Sequence, residues 1–326
     1  MITFWFAVVV LAWVLFFVLE GFDFGVGLLG PLLGRDDHER GAAVRTIGPF
    51  WDGNEVWLVA AIGVTFAAFP AWYSALLSGL YLPMVVLLLL LAVRGVALEF
   101  RGKGDGAAYR RRADIALALS SLGIVLVWGA LLAAFVRGLA LDASGSVTGG
   151  GLSRTLGPVF TLEAGLGALA ALFAALLLGA TFLSLRTSGP LRGRARTLAR
   201  WLGTGGAVAL LVIGFGTGSR LALAAAALSL LAGILARSGR EALAFAATAV
   251  GVAGAVVAVF TTHGDVVLRS TLNPQWSLTM DSAAATPQAL SLLTWAGVLI
   301  LPGVLAYQAF SYWIFRRRVA SERVPS

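Results

Sequence analysis

The chain has 326 residues, of which 59% are hydrophobic and 12% charged, with a formal net charge of +8 and a mean hydropathy of +0.90. Soluble domains are roughly half apolar and a quarter charged, so this composition excludes a soluble globular protein and points to an integral membrane protein. The lack of cysteine excludes disulfides, thiolate metal sites and cysteine-ligated iron–sulfur clusters, and the arginines lie beside apolar runs rather than in a basic stripe, so no nucleic acid partner is expected.

Crossing a hydrocarbon core of about 30 Å takes roughly 20 helical residues. In chain order, apolar runs predict spans at Ile2–Leu33, Phe50–Phe69, Ala75–Phe100, Ala113–Val136, Pro158–Leu185, Ala199–Thr217, Leu221–Ala236, Ala242–Thr262 and Pro287–Phe315. The first run has no basic leader, is too long for a signal peptide and carries acids near its end, so it is expected to stay in the membrane. Only Gly218, Ser219 and Arg220 separate the sixth and seventh spans. The expected fold is an all-α integral membrane protein of nine transmembrane helices, forming a single membrane domain over 1–326. A faint internal echo suggests two four-helix units, 1–136 and 158–262, with a ninth helix at 287–316.

Basic residues orient this bundle. Nineteen of the 24 lysines and arginines fall after the first, third, fifth and seventh spans and in the C-terminal tail; the opposite side holds Arg137, Arg154, Arg220 and Arg269. Positive loops stay inside, so the N-terminus is expected outside and the C-terminus in the cytoplasm. Merging the sixth and seventh spans would put the FRRRV tail outside, which supports nine spans. The outward loops at 137–157 and 263–286 are rich in Gly, Ser and Thr and read as solvated connections, the second a lid with Pro274 and Trp276 at the membrane interface.

Ionisable residues inside spans are costly and mark functional or paired positions. Glu20 and Asp23, three apart in LEGFDFGVGLLGP, share a helix face, and glycines at 21, 25, 27 and 30 allow close helix approach. Asp52 and Glu55 form a second pair in FWDGNEVW, bracketed by Trp51 and Trp57. Two readings stand for Asp52 and Asn54: caps of a helix beginning near the surface, or, for Asp52, proton handling. All four acids fall toward the cytoplasmic half of their spans, which favours a proton-collecting group: Asp52, Glu55, Asp23 and Glu20. Arg94 either snorkels to the headgroups or supplies a counter-charge; Glu99, five positions on, lies off its helix face. Glu163, near the outer end of the fifth span, reads as an interfacial carboxylate.

Haem iron in electron-transfer proteins is held mostly by His, Met or Cys, and the chain offers only His38, His263, Met1, Met84 and Met280. No pair suits bis-axial ligation, and no zinc or di-iron spacing occurs. No metal site is therefore expected here.

The stretch GFDFGVGLLGPLLGRDDHERGAAVRTIGPFWDGNEVWLVAAIGVTFAAFPAWYSALLSGLY resembles the N-terminal signature of subunit II of cytochrome bd-type quinol oxidases. LRGVALEFRGK, GATFLSLRT, RSTLNPQWSLTM and LLTWAGVLILPGVLAYQAFSYWIFRRRV extend the similarity over nearly the whole chain. The resemblance implies a nine-helix subunit of a respiratory terminal oxidase in the bacterial plasma membrane, reducing O2 to water without proton pumping. It implies a partner, subunit I, which carries the haems b and d and oxidises quinol; small single-helix accessory subunits and membrane lipid are further partners. It also implies a cytoplasmic proton route along the subunit boundary at Asp52, with Asp23 nearby. A structural quinone in subunit II would make Trp51 and Trp57 packing positions for a quinone or lipid. Where the family commonly has Gln, this chain has Glu55, an added ionisable group. The alternative is a proton-coupled secondary transporter, which would normally show broken helices and a solute site of its own.

Overall fold

The computed structural model describes residues 1–321. Its helices are α1 (Ile2–Leu33), α2 (Asp37–Ile47), α3 (Trp51–Ala68), α4 (Pro70–Gly79), α5 (Tyr81–Phe100), α6 (Ala107–Arg137), α7 (Gly151–Leu156), α8 (Leu162–Arg186), α9 (Pro190–Thr217), α10 (Arg220–Arg237), α11 (Glu241–Thr261), α12 (Met280–Ala283) and α13 (Pro287–Ile314). Four short strands accompany them: β1 (Thr187–Ser188), β2 (Val266–Leu268), β3 (Leu278–Thr279) and β4 (Val319–Ala320). Among the described residues, eight helices are long and apolar enough to cross a membrane: α1, α5, α6, α8, α9, α10, α11 and α13. The second expected span is α3, 18 residues long, made less apolar than these eight by Asp52, Asn54 and Glu55.

Three expected boundaries move, each for a local reason. The third span divides at Leu80, whose backbone (φ −120°, ψ 25°) leaves helical geometry; Pro83 then falls in the first turn of α5, where no backbone N–H is needed. The fifth span starts late, at Leu162, where Thr161 caps α8 by accepting from Ala164 N, and the sixth starts early because Pro190 opens α9, so the arginines at 192, 194, 196 and 200 ride on a helical extension that hydropathy alone does not reveal. The charged stretch after the first span is not a loop but the helix α2, capped by Asp36, whose Oδ1 accepts from Glu39 N at 2.9 Å. The turn between α9 and α10 forms as expected: Gly218 adopts a left-handed φ of +69°, and Ser219 caps α10 by accepting from Ala222 N.

Helix α1 lies at the centre, packed against α3, α6, α8 and α11. Its contact with α8 depends on paired glycines, since a Cβ at Gly25 would stand 2.0 Å from Ala175 O and 2.8 Å from Gly179 Cα. Small residues provide such close approach where burial in lipid supplies little hydrophobic drive. Helix α13 packs against α3 and leaves Leu292, Trp295, Val298 and Leu299 exposed.

The two loops expected to face outward, 137–157 and 263–286, differ from the solvated connections expected of them. Leu139 N donates to Arg269 O (3.0 Å) and Thr271 N to Leu139 O (2.9 Å), while β2 and β3 pair antiparallel. Leu139, Leu141, Val147, Val267, Leu268 and Leu278 are buried in the same apolar cluster as the neighbouring helix ends. These apolar residues, interspersed among Gly and Ser, make the loops one packed cap, with Trp276 half-buried in a 3-10 turn.

Candidate functional site

Two apolar clusters fill the bundle, and a polar layer lies between them on three helices. Along α1, Glu20 and Asp23 follow Phe16 of one cluster and precede Val26 of the other; on α5, Arg94 lies between Leu91 and Ala97. On α3, Asn54 lies between Phe50 and Trp57. Glu20, Asp23, Asn54 and Arg94 are all buried with 0% exposure. Buried polar groups are tolerated only when they find partners, and these converge on one another.

Arg94 Nη1 stands 3.3 Å from Glu20 Oε2, and its guanidinium lies 4.8 Å from the centroid of the Phe24 ring. The side chain therefore supplies a counter-charge and does not snorkel. Glu99 takes no part in this group: it pairs with Lys103 on the exposed surface one turn further on. Its offset of five residues from Arg94 turns it away from the interior.

Asn54 joins the remaining members. Its Nδ2 donates to Asp23 Oδ2 at 2.7 Å, and its Oδ1 accepts from Tyr312 Oη at 2.8 Å and from Gln308 Nε2 at 2.9 Å. The residue capping α3 is Phe50, with no side-chain capping bond, so neither Asp52 nor Asn54 serves as that cap. Tyr312 and Gln308 do not figure among the expected site residues, although their spacing of four puts them on one helix face of YQAFSYW.

The other acids step outward from this layer. Glu55 is half-buried and within electrostatic reach of Glu20, Asp23 and Arg94. Asp52 is exposed. Trp57 is closed inside the apolar core, whereas Trp51 is half-buried beside Gly95. Both Glu20 oxygens, Asp23 Oδ1 and all three Arg94 nitrogens lack a hydrogen-bonding protein partner.

A second charged group braces the arginine-rich end. Asp114, buried on α6, accepts from Arg40 Nε (2.9 Å) and Arg101 Nε (2.6 Å), and Asp37 accepts from Arg101 and Arg110. Burial opposes the charge of Glu39, but hydrogen bonds from Arg194 and the Arg35 backbone N–H, with the Arg194 charge, hold its carboxyl below the usual glutamate range. Glu241 joins Arg192 and Arg318. Hydropathy reading passes over most of these residues because they sit in charged segments between spans, while Asp114 falls at the very start of the expected fourth span.

At the opposite end, a cavity of about 580 Å³ opens between α1, α6, α8 and α11. Its walls are mainly Ala, Gly, Val and Leu, and Arg137, Glu163, His263 and Arg269 stand at its polar end. His263 Nε2 lies 2.8 Å from Val136 O, and Glu163 is exposed in the first turn of α8. Among the described residues, no three or more His, Asp or Glu side chains are grouped to hold a metal ion.

Comparisons with known proteins agree over almost the full length. The family model described as cytochrome bd terminal oxidase subunit II matches residues 1–315. The chain is 35% identical to the cytochrome bd ubiquinol oxidase subunit 2 of Bacillus subtilis, covering 97% of this chain and 96% of that one. It is 30% identical to the cytochrome bd-I ubiquinol oxidase subunit 2 of Escherichia coli K12, covering 95% and 92%. The fold matches a chain in the structure of bd oxidase from Geobacillus thermodenitrificans with a TM-score of 0.73 at 20% identity, covering 96% of this chain and 98% of that one. The chain belongs to the cytochrome bd terminal oxidase subunit II family, membrane proteins of bacterial quinol oxidase complexes.

Proposed function

We propose that this chain is a haem-free subunit that supports a haem-bearing subunit I and leads protons from the cytoplasm toward it. In this reading α3 also crosses the membrane, giving nine spans in two four-helix units plus α13, with the N-terminus outside and the C-terminus in the cytoplasm. The haems b and d of the partner supply the electron-transfer and oxygen chemistry. The residues of this chain hold and pass protons only.

The observation that carries the reading is a gradient of burial along one acidic series. Asp52 is exposed, Glu55 half-buried, and Asp23 and Glu20 fully enclosed. Asp52 and Glu55 are three residues apart on α3, hence on one helix face, and Glu55 lies within electrostatic reach of the two buried acids. A proton entering at Asp52 would move inward from group to group, while Arg94 offsets the negative charge that four acids accumulate. The unpartnered oxygens of Glu20 and Asp23 leave positions where a proton or a bridging water can be received.

A quinone held structurally would fit the apolar cavity between α1, α6, α8 and α11 better than the neighbourhood of Trp51 and Trp57. Its size is typical of a small-molecule site, with a few polar groups at one end. Trp57 is instead enclosed by protein.

The test of the proton route is an Asp52→Asn complex purified through a tag on this chain. The reading requires an unchanged haem absorption spectrum and slower oxygen consumption per haem. Reduced complex abundance with normal turnover per haem would make the acid structural instead. A colourless single-chain preparation would remove the oxidase assignment altogether.

A further inference from the structure

Among the described residues, Asn54 is the side chain whose hydrogen bonds link a buried acid of α1, Asp23, to α13. Its carbonyl oxygen already receives two donors from α13, the Tyr312 hydroxyl and Gln308 Nε2, which occupy both of its acceptor positions. Tyr312 is held in place, stacked on Phe50 with ring centroids 4.4 Å apart and planes inclined by 12°. The amide nitrogen is thereby turned toward Asp23, donating to Oδ2 at 2.7 Å. The other oxygen, Oδ1, is buried and has no protein partner.

We propose that Asn54 is a positioning residue for Asp23: α13 fixes its amide so that a proton taken up by this carboxyl is carried on Oδ1, with Oδ2 left as the carbonyl oxygen. This rests on the proton-route reading. A proton on Oδ2 would face the Asn54 N–H, setting donor against donor in a buried site, and such unmet groups are costly. A proton on Oδ1 keeps the Asn54 bond intact and places the new O–H where no protein atom competes for it. The titratable or charged groups facing Asp23 are Glu20 on its own helix, Glu55 on α3, Arg94 on α5 and Tyr312 on α13. None of them donates to Oδ2. Helix α13, otherwise peripheral, thus sets the face on which the buried acid accepts its proton.

The test is infrared difference spectroscopy of the intact complex across the pH range in which it consumes oxygen. The carbonyl band of protonated Asp23 is identified by its loss in Asp23→Asn. In Asn54→Leu that band is expected to move to higher wavenumber, because the carbonyl oxygen loses its hydrogen bond. Gln308→Leu combined with Tyr312→Phe, which leaves the amide free to turn, is expected to move it in the same direction at unchanged haem content. Tyr312→Phe alone keeps the ring stack and carries the test if Asn54→Leu fails to assemble, with a smaller upward shift expected. A band that stays in place in these variants, or no Asp23 band in the parent complex, overturns the proposal. Normal turnover in Asp52→Asn would sink the entry route while leaving the band shift intact, so the two failures are distinguishable.

Discussion

Arg94 and Glu20 meet across the α5–α1 interface with both side chains at 0% exposure, Nη1 standing 3.3 Å from Oε2. A pair so placed contributes little net stability, yet removing one partner leaves an uncompensated charge that costs about 3–5 kcal/mol. Arg94→Gln is therefore expected to lower the thermal midpoint of the purified complex sharply. Glu20→Gln combined with Arg94→Gln should recover most of that loss. Equal damage in single and double variants would show that Arg94 acts through its other surroundings, such as the Phe24 ring.

The α1–α8 contact predicts a different failure. At Gly25 an added methyl would have to lie 2.0 Å from a backbone carbonyl oxygen of α8, and backbone cannot step aside as a flexible side chain can. Gly25→Ala should force the two central helices apart and reduce the amount of assembled complex. Gly63→Ala, where nothing lies within 4 Å of the added carbon, should be tolerated. Measuring both variants in membranes by immunodetection and haem content separates crowding from a general intolerance of glycine replacement.

The first span and the turn at Gly218 were legible in the sequence because each carries its own local signal, a continuous apolar run in one case and a left-handed glycine followed by a serine cap in the other. Glu20 and Asp23 were legible for a related reason: a charge within an apolar run stands out. Asn54 was visible only as a cap, since an uncharged amide gives no sign of which neighbours it will meet. Its partners Gln308 and Tyr312 lie more than 250 residues away along the chain, a pairing that only tertiary packing creates. The break at Leu80 was missed because hydropathy runs straight through it, although Gly79 and Pro83 flank the site. The ionic group around Asp114 is hidden because its partners Arg40 and Arg101, with Asp37, lie in charged segments between the expected spans, which hydropathy treats as unstructured loops.

Acid stability follows from Glu39. Its carboxyl is held below the usual glutamate range by Arg194 and the Arg35 backbone N–H, despite the opposing effect of burial. A depressed value means that the stabilisation is present above the unfolded-state pKa, about 4.3, and is lost as pH falls through the lower folded value. Glu39→Gln should therefore lower the thermal midpoint at neutral pH and flatten its decline on acidification below about pH 4.5. A variant whose acid decline matches the parent would show that Glu39 does not carry that decline.

The two acids of α3 should not behave alike. Asp52 is exposed and Glu55 half-buried, so in the proposed route Asp52 collects protons from water and Glu55 relays them. Replacing the collector interrupts entry, whereas replacing Glu55 by Gln keeps a polar group of nearly the same size that is able to hold water. Asp52→Asn is expected to slow oxygen consumption per haem at least about tenfold, equivalent to ~1.4 kcal/mol on the limiting barrier, with the deficit growing as pH rises and protons become scarce. Glu55→Gln should retain most of the parent rate at neutral pH. The reverse ranking, with Glu55→Gln the slower variant, would make the half-buried carboxylate the entry group of this chain and Asp52 a surface charge without a role in turnover.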